Sequence, residues 1–120
     1  MFRYFRSIKF AINGLFYALR TERNVQILWG IAILTIAISL WLKVSPTEFL
    51  IILLWMFLIG VSEYLNTAIE KLSDRVTLEQ DEQIKHVKDI AAGATLVASI
   101  GAILSGLIIF VPKIIKVISN

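Results

Sequence analysis

Glu63-Tyr64-Leu65-Asn66-Thr67-Ala68-Ile69-Glu70-Lys71-Leu72-Ser73-Asp74 continues the apolar run that starts at Phe49, with no helix breaker between them. At about 100° per helical residue, Glu63, Asn66, Thr67, Glu70 and Asp74 fall within an arc about 100° wide. One face of a single helix thus carries an acidic stripe that starts inside an apolar run and continues beyond it. Ionisable side chains at or near hydrocarbon depth are costly, which makes such a stripe a functional-site hypothesis by default.

The rest of the chain fits that setting. Its 120 residues are 58% hydrophobic, with two prolines, six glycines and no cysteine, and the mean hydropathy is +0.78. Apolar residues in such uninterrupted runs indicate an all-α integral membrane protein of one domain, residues 1–120. The lack of cysteine excludes disulfides, thiolate metal sites and cysteine nucleophiles. Residues 1–20 place Arg3, Arg6 and Lys9 among Phe2, Phe5, Ile8, Ile12, Leu15, Phe16 and Leu19. This is the pattern of an amphipathic helix lying in the headgroup layer, or of a basic flank that only sets topology. Three spans are expected, at about 25–42, 49–66 and 90–111. Trp29 and Trp41 mark the ends of the first, Pro46 suits the first turn of the second, and Pro112 should stop the third.

Nine of the twelve Lys and Arg lie either before the first span (3, 6, 9, 20, 23) or between the second and third (71, 75, 85, 88). The positive-inside rule then puts the N-terminus and the 71–88 connection in the cytoplasm and the C-terminus outside. Every carboxylate except Glu48 falls on the cytoplasmic side, so polar chemistry would face the nucleotide pool there. The basic charge is topological, and no clustered basic face suited to nucleic acid is present. Ala94, Ala98, Gly101 and Ser105 form a small-residue seam, which suits close helix association within or between subunits. Three spans shield little polar surface from lipid, so a homo-oligomer is expected.

No glycine-rich phosphate loop occurs, and the lone His86 has no second histidine at ligand spacing. The carboxylates are more informative. Mg²⁺ takes oxygen ligands and is commonly held by one or two carboxylates together with phosphate oxygens and water. Glu70 on the stripe and Glu22 just before the first span should lie at similar depth and share one ion. Phosphoryl transfer also needs a cation for the phosphates, a role open to Lys88, and a base for the attacking hydroxyl. Glu63, about 10 Å deeper than Glu70 at 1.5 Å per residue, is poorly solvated and so suited to accept a proton from a lipid hydroxyl. The structural alternative has Glu63 and Asn66 hydrogen-bonding across helices, with Glu70 and Asp74 paired to Lys71 or Arg75, in a non-catalytic membrane scaffold.

Glu63-x-x-Asn66-Thr67-Ala68-Ile69-Glu70-x-x-x-Asp74, followed by Lys88-Asp89, resembles the signature of the prokaryotic diacylglycerol kinase family. The similarity extends upstream through Asn13-Gly14-Leu15 and Thr21-Glu22-Arg23-Asn24, and downstream through Ala91-Ala92-Gly93-Ala94. The resemblance implies a homotrimeric lipid kinase of the cytoplasmic membrane that moves the γ-phosphate of ATP to a lipid alcohol with Mg²⁺. It implies Glu63 as general base, Asn66 as its active-site polar partner and Glu22 and Glu70 as metal ligands. Arg3, Glu79, Asp81, Lys88 and Asp89 are implied as nucleotide contacts, with Arg6 an alternative to Arg3. The Thr-Glu-Arg-Asn and Ala-Ala-Gly-Ala segments are similar to the undecaprenol-kinase branch, which favours undecaprenol over diacylglycerol as acceptor. The Ser-x-x-Tyr-His-like segment common in the family is replaced here by Thr77-Leu78-Glu79-Gln80-Asp81-Glu82.

Overall fold

The computed structural model describes residues 2–77 and 79–120. Within them the chain is all helix: α1 (Phe2–Thr21), α2 (Arg23–Trp41), α3 (Pro46–Val76) and α4 (Glu82–Ser119). The last three are long and apolar enough to cross a membrane, and the expected spans 25–42, 49–66 and 90–111 lie almost wholly within them. Only five apolar side chains are buried among the described residues, namely Ala18, Val25, Ile52, Ala91 and Ile109. Phe57, Ile90 and Ile108 are more than two-thirds exposed. In water so much bare apolar surface would aggregate, whereas in a bilayer the acyl chains cover it. The molecule is a slab of 57 × 42 × 22 Å.

Local chemistry sets each helix end. Ser45 caps α3: its hydroxyl accepts from the Glu48 N–H at 3.2 Å, while Glu48 Oε1 accepts from the Ser45 N–H at 2.8 Å. Pro46 occupies the first turn, where no N–H is needed. The end of α2 is a Schellman motif, with the Val44 N–H donating to Ser39 O and the Lys43 N–H to Leu40 O. Lys43 has φ 54°, so a lysine stands where glycine is the usual choice. Asp81 caps α4 by accepting from the N–H groups of Gln83 and Ile84.

One expectation about a helix end is corrected. Pro112 does not stop the third apolar helix, because α4 runs through it to Ser119. One missing N–H is tolerated in a membrane helix, and Ile114, Ile115, Val117 and Ile118 extend the apolar character beyond it. The polar connection after the second span is also mostly helical, with α3 continuing to Val76 and α4 starting at Glu82. The strong helix formers Glu70, Lys71 and Leu72 favour this.

Helices α3 and α4 make the most extensive contact and form an antiparallel hairpin. The seam at Gly101 works inside the chain: a methyl group there would overlap the Trp55 indole, so glycine lets α4 close onto that ring. An ion pair fastens each end, Asp74 Oδ1 to Lys88 Nζ at 2.8 Å and Glu48 Oε1 to Lys113 Nζ at 3.0 Å. The N-terminal half of α1 leaves its aromatics exposed, with Phe2, Phe5 and Phe10 at 84%, 65% and 68%. Its C-terminal half faces α3 across a small cleft lined by Gly14, Leu15 and Ala18. Tyr64 connects three helices there, its hydroxyl accepting from Trp29 Nε1 at 3.0 Å and donating to Leu15 O at 3.1 Å. Trp29, expected as an interfacial anchor, is therefore also a hydrogen-bond donor within the fold.

Candidate active site

The acidic stripe lies between two packed faces of α3. On one side Trp55, Ser62, Asn66 and Ile69 look toward α4. On the other, Tyr64, Thr67, Ala68 and Lys71 meet α1. Glu63, Glu70 and Asp74 occupy the arc between these faces. Burial falls along the stripe: Glu63, Asn66 and Thr67 are 9%, 8% and 8% exposed, while Glu70 and Asp74 face solvent.

Glu63 Oε1 and Asn66 Oδ1 are buried without a hydrogen-bond partner. An unsatisfied buried acceptor costs about 1–3 kcal/mol, so two neighbouring ones on one helix turn call for a donor from outside the chain. Asn66 also borders a groove of about 730 Å³ between α3 and α4, walled mainly by apolar side chains such as Trp55, Leu58, Leu65, Ile90 and Val97. An alkyl chain in that groove would bring a polar head to these two acceptors. The structural alternative, cross-helix hydrogen bonds accepted by these oxygens, is not what the geometry gives.

Glu22 is the single non-helical residue between α1 and α2, with φ −112° and ψ 119°. It turns the chain from the surface helix into the first span. Its carboxylate lies 2.6 Å from Lys71 Nζ, and Lys71 stands over the Tyr17 ring at 5.7 Å, a cation–π contact. Hydrogen bonding to Glu22 holds the Lys71 proton above the usual lysine range. Hydrogen bonding to Asp74 does the same for Lys88, which sits ahead of the third span. Neither Glu70 nor Asp74 takes Lys71 or Arg75 as its ion-pair partner.

The chain thus gathers Glu22, Lys71, Asp74 and Lys88 at the end of the bundle where Glu63, Asn66 and Glu70 descend. Among the described residues no group of three or more His, Asp or Glu comes together as a complete metal cage. Asp89 Oδ2 is 3.4 Å from Lys85 Nζ. Asp81 has one carboxylate oxygen engaged in the α4 cap, and Glu79 is exposed in the turn, its N–H donating to Thr77 Oγ1 at 3.0 Å. Arg3 is not brought to this end, since it lies nineteen positions before Glu22 along α1, about 28 Å at 1.5 Å per residue. Lys71 is the site residue that sequence reading paired differently. Tyr64, Thr67 and Lys71 recur at i, i+3 and i+7, a spacing that marks a packed face but does not name its partner.

The family described as Prokaryotic diacylglycerol kinase matches residues 9–110. The Undecaprenol kinase of Bacillus subtilis (strain 168) is 36% identical over 112 residues, covering 93% of this chain and 91% of the relative. The Diacylglycerol kinase of Synechocystis sp. is 35% identical over 114 residues, covering 92% of this chain and 63% of the relative. That of Escherichia coli (strain K12) is 32% identical over 77 residues, 63% of each. A match spanning helices α2 and α3 and most of α4, with the stripe inside it, carries one conclusion: the chain belongs to the prokaryotic diacylglycerol kinase family and is a membrane-embedded lipid kinase.

Proposed function

We propose that the chain phosphorylates undecaprenol, moving the γ-phosphate of ATP to the lipid hydroxyl with Mg²⁺, at the cytoplasmic face of the cell membrane and as a homotrimer. Membership of a lipid-kinase family leaves no place for the scaffold reading. The acceptor preference draws on the extent of similarity to the Undecaprenol kinase of Bacillus subtilis, which is covered at 91% of its length against 63% for the two diacylglycerol kinases. Diacylglycerol is the second acceptor to test.

The observation that carries the chemistry is the pair of buried, unpartnered acceptors Glu63 Oε1 and Asn66 Oδ1. A lipid hydroxyl entering beside the α3–α4 groove donates its one O–H to Glu63 Oε1. Glu63 takes its proton, the freed oxygen attacks the γ-phosphorus, and ADP leaves. Asn66 orients the hydroxyl. Lys88 and Asp89 contact the nucleotide, with Glu79 and Asp81 approaching from the turn before α4. Arg3, far from this end along α1, would meet a nucleotide bound by a neighbouring subunit. The donor set fits Mg²⁺: Glu22 and Glu70 offer only oxygens, and the hard cation accepts a carboxylate pair completed by phosphate oxygens and water. When bound there, Mg²⁺ neutralises charge that develops on the transferred phosphoryl group.

The test is a radiolabelled-ATP assay in mixed micelles that offers undecaprenol and diacylglycerol separately and in competition. Preferential labelling of undecaprenol is expected. Preferential labelling of diacylglycerol would replace the acceptor and leave the residue roles standing.

A further inference from the structure

The carboxylate read above as a cation ligand already holds a cation supplied by the chain. Lys71 Nζ lies 2.6 Å from Glu22 Oε1, and the ammonium is backed by the Tyr17 ring, 5.7 Å from its centroid. Lys71 also follows Glu70 directly in the sequence, beside the second proposed ligand. A lysine ammonium carries three donors and no acceptor, so it competes with a divalent cation for the same carboxylate oxygen. Like charges at that spacing also repel. The contact joins the α1–α2 elbow to α3, so whatever displaces it alters how the surface helix is tied to the rest of the site.

We propose that Lys71 is a positioning residue that occupies Glu22 in the nucleotide-free enzyme and is displaced when a nucleotide-borne divalent cation takes that carboxylate. This rests on the reading of Glu22 as a cation ligand. Without metal, the ammonium keeps the elbow closed on α3 and spares Glu22 an uncompensated charge. The pair is weak enough to yield, because its side chains are 47% and 30% exposed, and pairs of that kind are worth at most about a fivefold change in an equilibrium.

The test measures Mn²⁺ binding by electron paramagnetic resonance in detergent micelles with a non-hydrolysable ATP analogue, so no turnover is needed. Lys71→Met should tighten Mn²⁺ about two- to fivefold, and Lys71→Arg, which keeps the pairing cation, should not. Arg75→Met removes the same charge one helical turn further on, away from Glu22, and should have a much smaller effect. Glu22→Gln should weaken binding. Equal affinity of Lys71→Met and wild type, or equal tightening by Lys71→Met and Arg75→Met, would overturn the displacement while leaving Glu22 as a ligand. Unchanged binding by Glu22→Gln would overturn the ligand assignment itself, and the displacement with it.

Discussion

Glu63, the proposed base, is a buried acid with one carboxylate oxygen that has no hydrogen-bond partner. Replacing it by glutamine keeps shape and volume but removes the carboxylate proposed as base. Glu63→Gln should therefore lower kcat by about 10²- to 10⁴-fold with its elution on size exclusion unchanged; wild-type turnover would exclude it as the base. Gly101 has the opposite role, purely steric. A leucine there collides with the Trp55 ring and should cost about 1–3 kcal/mol, read as a lower Tm in micelles and partly recovered by Trp55→Ala. The stripe itself was legible in the sequence, because angular spacing depends only on helix geometry. The partner of Lys71 was not. A long flexible side chain can reach several carboxylates, and which one it meets depends on where the α1–α2 elbow that carries Glu22 lies against α3, which the periodicity of either helix does not fix.

The helices differ in how they are held. Tyr64 ties α1 and α2 to α3 through one hydroxyl, so Tyr64→Phe should speed amide exchange in the C-terminal half of α1 while α3 and α4 exchange as before. At the α2 terminus, Lys43 holds a left-handed conformation. Lys43→Gly should stabilise by about 1 kcal/mol, seen as a raised Tm; an unchanged value would mean that the turn relaxes without strain. Helix positions were readable from hydropathy and capping, including Ser45 and Pro46. The continuation of α4 past Pro112 was not, since a proline ends a helix in water more readily than in a membrane.

At the scale of the whole molecule, the α3–α4 hairpin has an ion pair near each end, and each holds one group with a shifted titration, Glu48 on the acid side and Lys88 on the alkaline side. Hydrogen bonds from the Ser45 N–H and from Lys113 hold the Glu48 carboxyl below its ordinary 4.5, so its contribution is present above that pH and is lost as pH falls through the lower, folded value. Lys88 is held above its ordinary 10.5, so its contribution is complete below that pH and is lost as pH rises through the higher, folded value. Thermal stability in micelles should therefore fall as pH drops through the Glu48 value and as it rises through the Lys88 value, and Glu48→Gln should reduce the acid-side loss. Glu48 and Asp74 lie twenty-six residues apart on α3, about 39 Å at 1.5 Å per residue. A hydrocarbon layer is about 30 Å thick, so the two fastenings stand only about 9 Å further apart than the layer itself. The hairpin is thus a rod of fixed gauge: lipids with longer tails would drag one charged rivet into oil, and those with shorter tails would strand apolar turns in water. Bilayer thickness becomes a tolerance to which the enzyme is machined.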